Sequence, residues 1–196
     1  MPWRNGGGVT LEIAREPGAG DVFTWRLSLA TVAASGPFSD FTGYQRSVTL
    51  IEGDGFKLGI GGQDPMVLDW PGATALFPGN APARCDLVTG PSTDLSLMVR
   101  EPGAIISVVR IQGITTLTVP LAAGALKAVF CLRDGPRLTL PDDPIAGNPM
   151  RPELKLALHD TALLGREVTS LSLAAPMGIT TDLLLLTWKV ASSERA

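Results

Sequence analysis

Apolar and polar residues alternate along most of this chain, in short runs separated by glycine and proline. The period is 2 in FTWRLSLATV (23–32), RSVTLIEG (46–53), ARCDLVT (83–89), DLSLMVR (94–100), TLTVPL (116–121) and TSLSLAA (169–175). Val, Ile, Thr and Leu dominate these runs, which suits a pleated, half-buried strand. No stretch of eleven residues carries a 3.6-residue apolar stripe capped at both ends. The 22 glycines and 16 prolines are spread between the runs as turn residues and are not massed in a linker. This pattern predicts an all-β protein, a sandwich or a closed barrel.

An internal repeat sharpens that expectation. IEGDGFKL (51–58), TALF (74–77) and TDLSLM (93–98) are followed, in the same order, by LRDGPRLTL (132–140), TALL (161–164) and TDLLLL (181–186). The second and third motifs of each set begin 19 residues apart in the first half and 20 in the second. Asp54-Gly55 and Asp134-Gly135 lie between β-type runs, where a Gly supplies the positive φ of a tight hairpin. Strand, DG hairpin, strand and a later bracketing pair build a jelly-roll half, and the arrangement resembles a cupin barrel. The expected organisation is therefore a bicupin of RmlC-like halves, residues 1–110 and 111–196, with LPDDPIAGNPMRP (140–152) lengthening the second half.

Composition removes several functions. A net charge of -3 and no Lys/Arg cluster leave no basic field for a phosphate backbone. No apolar run approaches the ~20 residues that cross a bilayer, and Arg4 is followed by glycines, unlike a secretory leader. Cys85 and Cys131 fit no metal spacing and read as buried thiols of a cytoplasmic protein. With one histidine, His159, the chain cannot build the His-rich centre of a metallocupin, and no cofactor is expected. No elbow motif presents a serine or cysteine nucleophile, and Asp142-Asp143, bounded by proline, reads as a solvated turn. No catalytic residue is assigned; enzymatic activity survives only as metal-free acid/base work.

Binding chemistry is better represented. Alternation on 25–30 puts Trp25, Leu27 and Leu29 on one face and Arg26, Ser28 and Ala30 on the other. A guanidinium beside a hydroxyl can grip a carboxylate, or Arg26 can pair across strands with Glu12; the sequence leaves both open. In SGPFS (35–39), Pro37 stiffens a loop that offers Phe38 and Ser39 to a neighbouring cavity or to the core. Asp94 and Met98 share a strand that can form an opposite wall. The opening run WRNGGG (3–8) is not a phosphate loop, because it leads into VTLEIA with no helix to follow. Its glycines instead let the backbone pass close over a barrel mouth and set Trp3 and Asn5 at the rim.

Three linked stretches, PWRNGGGVTLEIA (2–14), FTWRLSLATVAASGPFSDFTGYQRSVTLIEGDGFKL (23–58) and LFPGNAPARCDLVTGPSTDLSLMVR (76–100), resemble the HutD/Ves family of bicupins. That resemblance implies a cytoplasmic protein, in a family whose members are often dimeric, so that a homodimer is expected. It also implies a non-catalytic role in which a small carboxylate such as urocanate or N-formylglutamate is bound and histidine utilisation is modulated. The alternative is a metal-independent isomerase or epimerase acting on a small polar acid or sugar. The resemblance favours a ligand site of Trp3, Asn5, Thr10, Arg26, Ser28 and Arg46, to which Phe38, Ser39 and Asp94 are added. Gly79-Asn80 and Asp94-Leu95-Ser96 depart from the family's usual residues.

Overall fold

The structure, a computed structural model, describes residues 1–3, 6–18, 22–140 and 153–190. Asn5 and the loop holding Asp142-Asp143 lie outside them. All regular elements among the described residues are strands, and no helix is long and apolar enough to cross a membrane. The chain divides into two compact units, Met1–Ile106 and Ser107–Trp188, with Lys189 grouped with the first. Both this division and the one expected after residue 110 fall within a single strand, Ile105–Gln112.

The first unit contains β1 (Gly8–Pro17), β2 (Phe23–Val32), β3 (Gly36–Pro37), β4 (Tyr44–Glu52), β5 (Phe56–Ile60), β6 (Met66–Leu68), β7 (Thr74–Pro78), β8 (Ala83–Leu87) and β9 (Ser92–Arg100). They form two antiparallel sheets, ordered β1-β2-β9-β4-β7 and β3-β8-β5-β6. Alternation decides which side chains enter the space between the sheets. On β7, Ala75 and Phe77 are buried while Leu76 is exposed, and on β8, Ala83 and Cys85 point inward. These residues join Val48, Leu50, Phe56, Leu58 and Leu68 in one apolar cluster. The central strands β4 and β9 are buried on both faces, as inner strands of a covered sheet must be.

The second unit contains β10 (Ile105–Gln112), β11 (Thr116–Pro120), β12 (Leu126–Cys131), β13 (Arg137–Thr139), β14 (Glu153–Lys155), β15 (Thr161–Leu164), β16 (Ser170–Ala174) and β17 (Asp182–Lys189). Its sheets run β10-β17-β12-β15 and β11-β16-β13-β14. The repeat read from the sequence is a repeat of topology: the motif strands pair as β9-β4-β7 in one unit and β17-β12-β15 in the other. Both DG glycines have positive φ, 83° at Gly55 and 111° at Gly135, but the expected hairpins do not form: β4 and β5 belong to different sheets, as do β12 and β13, so each DG turn carries the chain from one sheet to the other. A Cβ at Gly55 would also fall 2.0 Å from the Leu68 carbonyl oxygen. The interior of this unit is filled by Val129, Cys131, Leu138, Leu171, Leu173, Leu183 and Leu185. Lys127 is fully buried, its Nζ donating to the carbonyls of Val168 (2.6 Å) and Gly165 (3.3 Å).

Candidate functional site

Three neighbouring strands of the first unit place polar residues where a β interior is normally apolar. On β2 the period of two turns Arg26, Ser28 and Ala30 inward; on β9 it turns Asp94, Ser96 and Met98; on β4, Arg46 and Val48. The registers align them in rows across the sheet. Arg26 and Arg46 both stand opposite Met98, Ser28 and Val48 opposite Ser96, and Ala30 and Leu50 opposite Asp94. On the far side of β2, Thr10 of β1 is level with Ala30. Together these residues, Leu50 excepted, line a cavity of about 450 Å³, within the range of small-molecule sites.

Both arginines are held by aromatic faces, not by carboxylates. The Arg26 guanidinium carbon lies 4.8 Å from the Phe23 ring centre and 5.3 Å from that of Phe41. That of Arg46 lies 5.0–5.4 Å from the rings of Phe38, Phe41 and Phe77. Such contacts orient a cation without neutralising it. Their hydrogen bonds are few: Arg26 Nη2 donates to Met98 Sδ at 3.4 Å, and Arg46 Nη1 to the Ser39 carbonyl at 3.2 Å. Among the described residues, the Nε of each arginine and the Ser96 hydroxyl are buried without a protein partner. A buried donor left unpaired costs about 1–3 kcal/mol, more when charged, so three in one cavity leave its wall with unmet hydrogen-bonding capacity. Burial lowers the pKa of both arginines, that of Arg46 to about 10, which leaves each charged at neutral pH.

Asp94 is 2% exposed, and no hydrogen bond or ion pair reaches its carboxylate among the described residues. Its repeat counterpart, Asp182, is closed instead by a two-pronged pair with Arg110, both contacts at 2.9 Å. Burial pushes the Asp94 carboxyl up to about 7, partly offset by the charge of Arg46.

The mouth of the cavity explains the glycine run. Trp3 accepts from Gly6 N and donates to the Gly8 carbonyl through its backbone, while its indole N–H donates to Thr10 Oγ1 at 2.8 Å. A Cβ on Gly8 would lie 2.4 Å from the Thr31 carbonyl and 3.0 Å from the Trp3 ring. Only glycine lets β1 sit beneath that ring. Phe38 and Ser39 enter from the other side, where the SGPFS segment contributes β3, which pairs with β8 at Gly36–Cys85 and Pro37–Arg84.

Of the residues expected from the sequence, Trp3, Thr10, Arg26, Ser28, Phe38, Ser39, Arg46 and Asp94 therefore share one cavity; Asn5 lies outside the described residues. Among the described residues Arg26 and Glu12 form no close cross-strand ion pair, although the charge of Glu12 still acts on Arg26. Glu12 is level with Ser28, Arg26 faces Arg15, and Glu12 pairs with Arg15 at 3.4 Å. Ser96 and Phe41 escaped the sequence reading. Alternation from Asp94 would have found Ser96, whereas Phe41 sits in a loop and carries no periodic signal. His159 is a turn residue with φ 65°, its ring stacked on Phe130 at 5.7 Å. Both cysteines are buried and unpaired, and no group of three His, Cys, Asp or Glu is poised for a metal among the described residues.

Comparison with known proteins agrees with this architecture. A structure from Pseudomonas aeruginosa PAO1, of a conserved protein of unknown function, is 29% identical with a TM-score of 0.81, covering 96% of this chain and 93% of that one. HutD from Pseudomonas fluorescens SBW25, solved in a formate condition, is 30% identical with a TM-score of 0.74, covering 97% and 92%. A cupin barrel protein from Leptotrichia buccalis, 12% identical with a TM-score of 0.55, shares the fold alone. The "Uncharacterized 21.2 kDa protein in hutC 3'region" of Pseudomonas putida is 46% identical over 99 residues. That match spans 50% of this chain and 52% of the relative, about half its length. The model of the HutD family covers residues 1–180, and the chain is thus a cupin-type member of the HutD family, which is linked to the histidine-utilisation locus.

Proposed function

We propose that this protein binds a small carboxylate metabolite in the first-unit cavity without transforming it, and that this binding modulates histidine utilisation. The observation that carries the reading is the pair of aromatic-held arginines, each with a buried Nε free of protein partners, opening on one cavity. A guanidinium matches both oxygens of a carboxylate, and a site whose buried donors only the right guest satisfies is selective. The hut-region relative supports a ligand from histidine breakdown, of the urocanate or N-formylglutamate type. The net charge of -3 argues against nucleic acid as a partner. Resemblance to the family supports a cytoplasmic homodimer.

Thermal shift and calorimetry with urocanate, N-formylglutamate, formate and glutamate test the reading. At 100 times Kd a ligand adds about 2.7 kcal/mol to stability. At least one acid is expected to stabilise the wild type and to lose that effect in Arg26→Ala. No response to any of the four, or the same response in the variant, sinks the proposal.

One observation favours a second reading, a metal-independent isomerase or epimerase: Asp94, with its pKa near 7, is poised to exchange a proton at neutral pH. Such an enzyme would wash deuterium from D2O into a bound acid's C–H positions, and Asp94→Asn would stop it. A simple binder shows no exchange.

A further inference from the structure

The cavity floor is polarised along β9. Met98, flanked by Arg26 and Arg46, marks a cationic end; Ser96, flanked by Ser28, is the middle; Asp94 marks an anionic end. Two residue steps separate Met98 from Ser96 and two more separate Ser96 from Asp94. At ~3.3 Å per residue the Cα atoms of the two ends stand ~13 Å apart. The arginine side chains shorten that gap, and Arg46 is near enough for its charge to act on Asp94. No ion pair closes it. Opposite charges held apart at the two ends of one buried cavity are complementary to a guest with the reverse arrangement.

Resting on the carboxylate-binding reading, we infer that the cavity takes a two-ended guest: a carboxylate between Arg26 and Arg46, and a nitrogen-borne N–H, as in an ammonium, amide or azole, at Asp94. Asp94 is thereby a specificity-determining residue that rejects a carboxylate at its own end of the cavity. The physical reason is that a buried carboxylate with no protein donor accepts an N–H and repels a like charge. The contrast within the chain is direct, because Asp182, at the same place in the repeat, already has Arg110 as its donor. Around Asp94 the neighbouring titratable groups are Arg46 on β4 and Cys85 on β8. The Cys85 thiol is pushed up to about 12, chiefly by burial, and carries no charge below that. Apart from Arg46, whose guanidinium belongs to the cationic end, the charge there is that of Asp94.

Two acids of one chain length isolate the effect: 5-aminopentanoate, ending in an ammonium, and glutarate, ending in a carboxylate. Calorimetry on the full chain at pH 8.5, where Asp94 is ionised, is expected to show 5-aminopentanoate binding at least about tenfold tighter, a factor worth ~1.4 kcal/mol. In Asp94→Asn, nearly the same shape without the charge, the ratio is expected to fall towards unity, and Arg26→Ala is expected to weaken both acids. Equal affinities in the wild type, or glutarate binding the tighter, overturn the inference while leaving carboxylate binding intact. An unchanged ratio in Asp94→Asn overturns the role of Asp94. If neither acid binds, urocanate, N-formylglutamate and glutamate, each with a carboxylate and an N–H, take their place, and an affinity for them unchanged in Asp94→Asn, or binding of formate alone, overturns the two-ended guest; if none binds, both readings fail together. The wild-type comparison needs no variant to fold.

Discussion

Burial without a partner leaves its mark on Asp94, and pH exposes it. The carboxyl is ordinarily near 3.8, and the fold raises it to about 7. Between those values the native state holds a proton that the unfolded chain has released, so the contribution of Asp94 to stability is highest below about pH 4, falls as pH rises through the window, and levels off above 7. Asp94→Asn is expected to remove that slope. Urea unfolding should find the variant more stable than wild type at pH 8, by on the order of a few kcal/mol, and no more stable at pH 4. A variant no more stable than wild type at pH 8 would show that Asp94 has a donor in solution. At this scale the sequence was informative for side-chain direction and mute on protonation. Arg26 and Ser28 could be set on one face by counting in twos, whereas the desolvation that shifts Asp94 depends on strands distant in sequence.

Turns and close approaches carry the next level. Gly55 combines a left-handed φ of 83° with a Leu68 carbonyl 2.0 Å from where a Cβ would stand. Strain of this kind costs about 1–3 kcal/mol, and the steric conflict adds to it. Gly36 has neither feature, with nothing within 4 Å of its would-be Cβ. Gly55→Ala is therefore expected to lose at least about 2 kcal/mol in chemical unfolding, and Gly36→Ala to stay within about 0.5 kcal/mol. Comparable losses in both would refute the role given to the DG turn. The glycines of the DG turns were legible because glycine's freedom is a local property, but not that these turns pass from one sheet to the other instead of closing hairpins. The short strand β3 was not, since two residues become a strand only when β8 lies beside them.

The two units of the molecule share a strand order and differ in what fills them. In the second, Val129, Leu171, Leu173 and Leu183 close the interior, and Asp182 is tied to Arg110. In the first, the cavity keeps two arginines and an aspartate. Truncating Leu173 to Ala is accordingly expected to cost ~2–5 kcal/mol of stability, read by thermal or urea unfolding, while the affinity of the folded protein for any acid that binds stays unchanged. A parallel loss of affinity would mean that the site reaches beyond the first unit. Read alone, the sequence determined the all-β class, the repeat, the inward face of β2 and the need for glycine at the tight turns, because period, composition and φ are set by neighbours along the chain. Only the tertiary structure decided that Glu12 faces Ser28 and not Arg26, that Phe41 joins the aromatic walls, and that Asp94 stands unpaired at the far end from the arginines. Those outcomes depend on strand register and on groups brought together from positions up to 98, where burial and Coulomb interaction act through space and not along the chain.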